Sequence, residues 1–336
     1  MQQRWVCHAI LSLAAVGATY ATASAQAWVP DKGTLGVSLN YNYSRSDKVV
    51  TDTSFSFPDA GTISHQETLA LEYTPIDKLA IGASLPLLSI KYRNPGYFQH
   101  QQPPGGPKIA TYDDGDYHTT LTDLRFGARY QLLDDPIALT PSIAASIPVA
   151  DYETIGNAVG GRHLKQLHAG LAAGYIIGTA SYVHLQYEFT YSERYDKTST
   201  ADMNHDIKGY GQSYSDIVLQ VGTKLLDYRL DIHATAQSRI AHGGENFSDI
   251  FLTPVKMDGT GPEDYTLTGA PNMNYYHDAI LKEDIFLVGG GIAYDINESL
   301  SISLDYRHFI EQIKLSQNTQ NSDTLAIGLA WTPLHP

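Results

Sequence analysis

Cysteine is almost missing: Cys7 is the only one in 336 residues. It lies inside an N-terminal segment with a secretory pattern, so the rest of the chain can form neither disulfides nor thiolate metal sites. Charge is scarce too, at 17% of residues, and 22 Lys and Arg against 36 Asp and Glu leave a net charge of −14. Nucleic acid would need a basic face, so it is excluded as a partner. The mean hydropathy of −0.23 argues against a bundle of membrane helices. No linker, low-complexity tract or shift in composition divides the chain, so one domain is expected after the N-terminal segment.

Residues 1–27 read as a cleavable signal peptide. Arg4 supplies a positive start, and Val6 to Tyr20 form an apolar stretch with small residues. Ala23-Ser24-Ala25 offers an A-x-A cleavage site, and Ala25-Gln26-Ala27 a second. The stretch is short and rich in Ala, Gly and Thr, unlike a spanning helix. Cys7 lies at its start rather than after its end, which argues against a lipoprotein anchor.

What the chain has is alternation. Twelve stretches put apolar residues on one face, near 34–46, 63–74, 78–92, 119–133, 137–150, 165–177, 180–194, 214–226, 228–241, 282–295, 300–311 and 323–333. In the last, Leu325, Ile327, Leu329 and Trp331 share one face, and Ala326, Gly328, Ala330 and Thr332 the other. A period of two marks a strand. In water these apolar faces would need a second layer, and no helices remain to supply it. An all-β, closed antiparallel transmembrane barrel in the outer membrane resolves this, because closure pairs every backbone group and lipid covers the outside. A soluble sandwich or lipocalin-like barrel would need a charged exterior, whereas here the second face is largely Gly, Ala, Ser, Thr and Asn. Tyrosine outnumbers phenylalanine 23 to 9, as suits the interfacial girdles of such a barrel.

The connections alternate. Pro75-Ile76-Asp77, Asp134-Asp135-Pro136, Gly178-Thr179, Asp227 and Asn297-Glu298-Ser299 are tight turns, and the segments between them are long. This is the asymmetry of periplasmic turns and extracellular loops, and an even strand count puts both termini in the periplasm. A further hairpin within 242–281 would make fourteen strands.

Parity then names the lumenal side chains: Asp123, Arg125 and Arg129; His184, Gln186 and Glu188; Asp231, His233, Gln237 and Arg239; Asp305 and Arg307. They either line a pore or pair with one another and hold it shut, since ionisable groups in low dielectric need partners in both cases. In the loops, Asp113, Asp114, Asp116, Tyr117, His118 and Arg162 are candidate binding residues. Asp113, Asp114 and Asp116 around Gly115 could wrap Ca²⁺, although the EF-hand ligand series is incomplete and a turn built from Asp and Gly is the simpler reading. No other metal and no cofactor is expected. The glycine-rich segments at 160–161 and 243–244 lack the strand–loop–helix setting of a phosphate-binding loop. An outer-membrane hydrolase would need a serine beside an outward histidine with an orienting third group, and His308 is the candidate examined for it.

Several motifs carry a resemblance. Ala27-Trp28-Val29-Pro30, the run 113–118, Pro148 to Thr154, Val159-Gly160-Gly161-Arg162 and His242-Gly243-Gly244 resemble a bacterial outer-membrane family labelled "MetA-pathway of phenol degradation". The resemblance implies an outer-membrane barrel admitting aromatic or hydrophobic compounds, and no catalytic residues. It also implies that Trp331 serves as the terminal aromatic read by the barrel-assembly machinery, followed here by the short tail Thr332–Pro336. The expected partners are therefore the lipid bilayer, that machinery and a small solute. Periodicity does not distinguish a lipid-facing wall from one facing a second copy, so oligomeric state stays open. Passive uptake of a small aromatic or hydrophobic solute is the expected function. The alternative is a non-conducting barrel whose loops bind a partner or stabilise the envelope.

Overall fold

A computed structural model describes residues 27–52, 56–58, 61–93, 112–154, 156–195, 209, 211–246, 248, 252–255, 264–267, 281–311 and 316–334. Among them are the strands β1 (Leu35–Val50), β2 (Ser56–Pro58), β3 (Thr62–Ile76), β4 (Leu79–Tyr92), β5 (His118–Leu121), β6 (Asp123–Tyr130), β7 (Ile137–Pro148) and β8 (Gln166–Ile177). They continue with β9 (Ser181–Ser192), β10 (Ser213–Leu225), β11 (Leu230–His242), β12 (Leu252–Val255), β13 (Asp264–Leu267), β14 (Ile285–Asn297), β15 (Leu300–Phe309) and β16 (Thr319–Leu334).

Neighbours in the main sheet follow chain order, and β16 pairs with β1 to close the ring. Counting β5 and β6 as one strand broken at Thr122, the ring has twelve antiparallel strands, as the alternation predicts. β2 is an extra strand on the loop end of β1. The hairpin that would have made fourteen is present as β12–β13, but the two pair only with each other. The count in the wall therefore stays at twelve. The wall also rises further than alternation shows: β1 and β16 remain paired to Val49–Gln320 and Val50–Thr319, beyond the alternating stretches 34–46 and 323–333.

Burial is inverted relative to a soluble protein. The buried set is polar, including Asn40, Asn42, Arg125, Arg129, Glu188 and Arg239, while Ile143, Leu167 and Leu329 are 66%, 58% and 44% exposed. Outward Tyr73, Tyr130, Tyr175, Tyr294 and Trp331 lie toward the turn rim, and Tyr187, Tyr191 and Tyr306 toward the loop rim. An apolar band between two aromatic girdles is the outer surface of a membrane-spanning barrel. Leu219, midway along β10 and outward, is in that band. Leu219→Arg should lower unfolding stability in liposomes by about 2–4 kcal/mol, the depth-dependent cost of a cation on the lipid face. Equilibrium denaturant titration of the refolded barrel reads this directly.

Candidate functional site: the lumen

The lumen is assembled by strand parity, which turns every second side chain of each strand inward. At the turn end, the residues just before β1 also enter it. The Ala27 carbonyl accepts from Thr140 Oγ1 (2.6 Å), the Trp28 carbonyl from Arg129 Nη1 (3.0 Å), and the Val29 amide donates to Gln131 Oε1 (2.8 Å). Ala27 packs on Ala138 and Ala172 with Trp28 beside them. Gly174 makes room, since a Cβ there would come within 2.4 Å of the indole. The ring centre of His184 is 6.5 Å from that of Trp28. Arg129 is itself fixed by Glu72, which accepts from its Nε (3.1 Å) and Nη2 (2.7 Å).

Above this, Arg125 donates in bidentate fashion to Glu188 (3.0 and 2.6 Å). His168 bonds Thr190 through Nδ1 (2.9 Å), approaches Glu188 at 3.4 Å, and meets Ser146 Oγ through Nε2 (2.8 Å). This has the order of a serine–histidine–carboxylate relay. Ser146 has no solvent exposure and Glu188 is taken by Arg125, so the group holds the wall together rather than presenting a nucleophile. Toward the loop end, Arg239 grips Asp216 (2.9 Å twice) and lies 4.0 Å over the Tyr214 ring.

Across the lumen, His233 bridges Asp231 through Nδ1 and Asp305 through Nε2, both at 2.9 Å. Tyr182 donates to Asp231 (3.0 Å) and its ring occupies the space left by Gly222. Asp305 reaches β11 across β14 because Gly291 stands between, where a Cβ would meet Asp305 Oδ1 at 2.4 Å. Arg307 lies likewise over Gly289. Its guanidinium is buried, and neither Nη1 nor Nη2 has a hydrogen-bond partner among the described residues.

All ten charged or imidazole positions named from the sequence as lumenal do point inward and are buried. Sequence parity was applied too sparingly, however. Glu72, Asp216 and His168 sit at inward positions and complete three of the ionic contacts, and the same period of two would have found them. Trp28 and Tyr182 gave no such signal, because aromatic residues were assigned to the girdles.

The loop candidates have other duties. Asp113 is buried and accepts from the Asn157 amide (2.9 and 3.0 Å), Asn157 Nδ2 (2.9 Å) and the Ala158 amide (2.9 Å). It pins the 149–165 loop onto the 112–117 loop and is not free for a cation. Asp114 accepts from the Asp116 amide and His118, both at 2.9 Å, closing a turn. Partial burial works to raise the Asp114 carboxyl, but the His118 hydrogen bond and the Asp116 amide outweigh it and hold it below its ordinary value. No group of three or more potential metal ligands stands together among the described residues. Tyr117 meets His65 instead of a ligand (3.1 Å), and Arg162 is engaged by Glu283 and Gln212 (3.3 Å each).

The same loop sends Tyr152 inward, where its hydroxyl donates to Asp123 (2.5 Å) and accepts from the His163 amide (3.1 Å). Burial, with Asp123 beside it, pushes this phenol above its ordinary range and keeps it a neutral donor. The pair Gly160-Gly161 is explained here: a Cβ on Gly160 would press on the Tyr152 ring at 2.9 Å, and Gly161 has φ 143°, open to glycine.

The hydrolase arrangement is split between two places. On the outer face Ser215 Oγ meets His242 Nε2 at 2.7 Å, a pair missed in sequence, and no described carboxylate is paired with that histidine. His308 has the carboxylate, Asp323 at 2.6 Å, and no serine among the described residues bonds it.

No family model and no curated protein sequence matches this chain. Among solved structures, it is similar to the COG4313 outer membrane channel from Pseudomonas putida F1, with a TM-score of 0.62 at 10% identity over 90% of this chain and 97% of that one. It also aligns with the TodX deltaS2S3 mutant monoaromatic hydrocarbon channel, with a TM-score of 0.45 at 11% identity over 91% of each chain. At these identities the likeness is one of fold.

Proposed function

We propose that this protein is an outer-membrane channel for passive entry of small solutes, exported by a signal peptide that ends near Ala25 or Ala27. The observation that carries this is the asymmetry of the lumen. Bulky paired groups and Trp28 crowd the side formed by β6–β11. The wall of β14–β16 and β1 is lined by Gly289, Gly291, Ala293, Ser301, Ser303, Ala326, Gly328, Ala330, Ser38 and Asn40. On the turn side of Asp305 and Arg307, Ser38, Asn40, Ala293, Ser301, Ser303, Gly328 and Ala330 border a small cavity, and their hydroxyls and amides suit a solute that carries a polar group. The aromatic character implied by the family resemblance fits this wall as a phenol does: a flat ring with one polar atom.

The second reading, a non-conducting barrel, is favoured by one thing: Arg125–Glu188, Arg129–Glu72 and Arg239–Asp216 link nearby strands and fill the bore beside them with charge that is already paired. Single-channel recording of the refolded barrel in a planar bilayer separates the two. Discrete conductance steps reduced by added phenol are expected. A silent barrel whose folding is shown by heat-modifiable gel mobility would move the function to the loops.

A further inference from the structure

We infer that Arg307 is a lumenal binding site for a small organic anion, of the carboxylate or phenolate class, on the path of the transported solute. The inference rests on the channel reading and specifies its substrate.

Its ground is the contrast between Arg307 and the other lumenal arginines. Arg125, Arg129 and Arg239 each hold one carboxylate through two hydrogen bonds. Arg307 is equally buried, 4% exposed, and its two terminal nitrogens have no hydrogen-bond partner among the described residues. A buried guanidinium without a partner is costly, and folds normally pair it or remove it. The nearest carboxylate, Asp305 two residues along the same face, is committed to His233. Across the sheet Arg307 has neutral, small neighbours, and toward the loops it is capped by the apolar cluster of Phe309, Leu287 and Val50. Register sets Gly289 on one side, with Thr235 beyond it, and Thr324 with Ser44 on the other. So the cation lies beside the small-residue wall, flanked by the hydroxyls of Thr235, Thr324 and Ser44, which can donate to a carboxylate or a phenolate oxygen.

Planar, bidentate geometry makes guanidinium the natural receptor for a carboxylate. Asp305 serves a second purpose here. Its charge opposes tight binding of an anion, and conduction needs a site favourable enough to enter and weak enough to leave.

The test uses wild type, Arg307→Gln and Arg307→Lys, refolded and checked by gel mobility. Because the change to glutamine removes an unpaired buried charge, the variant should fold at least as well as wild type. In planar bilayers, benzoate should block wild-type current. Its apparent dissociation constant should rise about tenfold in Arg307→Gln, as for one lost charge-assisted contact. Arg307→Lys, which keeps the charge without the bidentate fork, should fall between the other two in block, the neutral probe benzyl alcohol should not discriminate among the three, and cation-over-chloride selectivity should increase in the glutamine variant. Unchanged benzoate block and selectivity in Arg307→Gln would overturn the site while leaving the channel intact. If all three barrels are folded but silent, the channel reading fails. Benzoate titrated onto the folded barrel in micelles and followed by ligand-observed NMR then decides the site alone. Weaker binding in the glutamine variant supports it, and equal or no binding overturns it.

Discussion

Trp28→Ala should raise single-channel conductance several-fold without unfolding the ring. The indole is placed in the turn-side lumen by contacts that involve the backbone of residues 27–29 as well as the ring, so truncation empties space rather than relocating another side chain. In a small barrel the lumen is barely wide enough for side chains, so one indole is a large part of its cross-section. The wall itself is untouched: every ladder contact of β6–β9 remains, and gel mobility should stay that of a folded barrel. Gly174→Val provides the independent check, because its side chain would occupy the place of the indole and push the ring out. If that variant blocks further while Trp28→Ala opens, the segment is a passive filler. If both open, Trp28 is the gate. Unchanged conductance in Trp28→Ala would mean that flow bypasses this end entirely.

The second large effect concerns stability. Glu188→Gln should cost about 3–5 kcal/mol in liposome unfolding experiments, the usual penalty for removing one partner of a buried pair. Two groups lose by it. Arg125 keeps its charge with its two acceptors weakened, and His168 loses the anion 3.4 Å from its Nδ1. Replacing the pair together, Arg125→Met with Glu188→Leu, should recover most of the loss, because similar volume without charge needs no partner. Recovery would show that the pair specifies the arrangement rather than supplying net stability. Arg307→Gln, by contrast, should be close to neutral, and the difference between two arginines of similar burial is itself a measure of pairing.

Strand count, closure and the side of each wall were legible in the sequence because one physical rule, the two-residue period, controls all three. The same rule placed Arg125, Glu188, Asp305 and Arg307 in the lumen. It could not say which would meet. Arg125 and Glu188 are on strands separated by two others, and only the narrow bore brings them together. Asp305 reaches His233 through a gap made by Gly291, a feature that reads in sequence as a weak strand position. The acidic run at 113–118 was ambiguous for a related reason: carboxylates in a loop resemble cation ligands or turn formers alike until a neighbouring loop claims them. Asp113 is claimed by the amides of Asn157 and Ala158. The β12–β13 hairpin was anticipated as a possible pair of wall strands, but pairing between its own strands gives no information about pairing to neighbours.

The seam between β1 and β16 has a consequence for the order of events. It joins the first strand of the chain to the last, so the ring cannot be completed until the whole polypeptide is present, whereas each tight-turn hairpin can zip locally. Entropy grows only slowly with the length of chain enclosed, which makes so distant a clasp feasible though late. Residues 27–29 lead directly into β1 and are trapped inside by the same act. Apart from Trp5, the tryptophans of this chain are Trp28, within the bore, and Trp331, paired across the seam with Val37. Two intrinsic fluorophores thus stand on either side of a single closing step, and their emission should change together in its slowest phase.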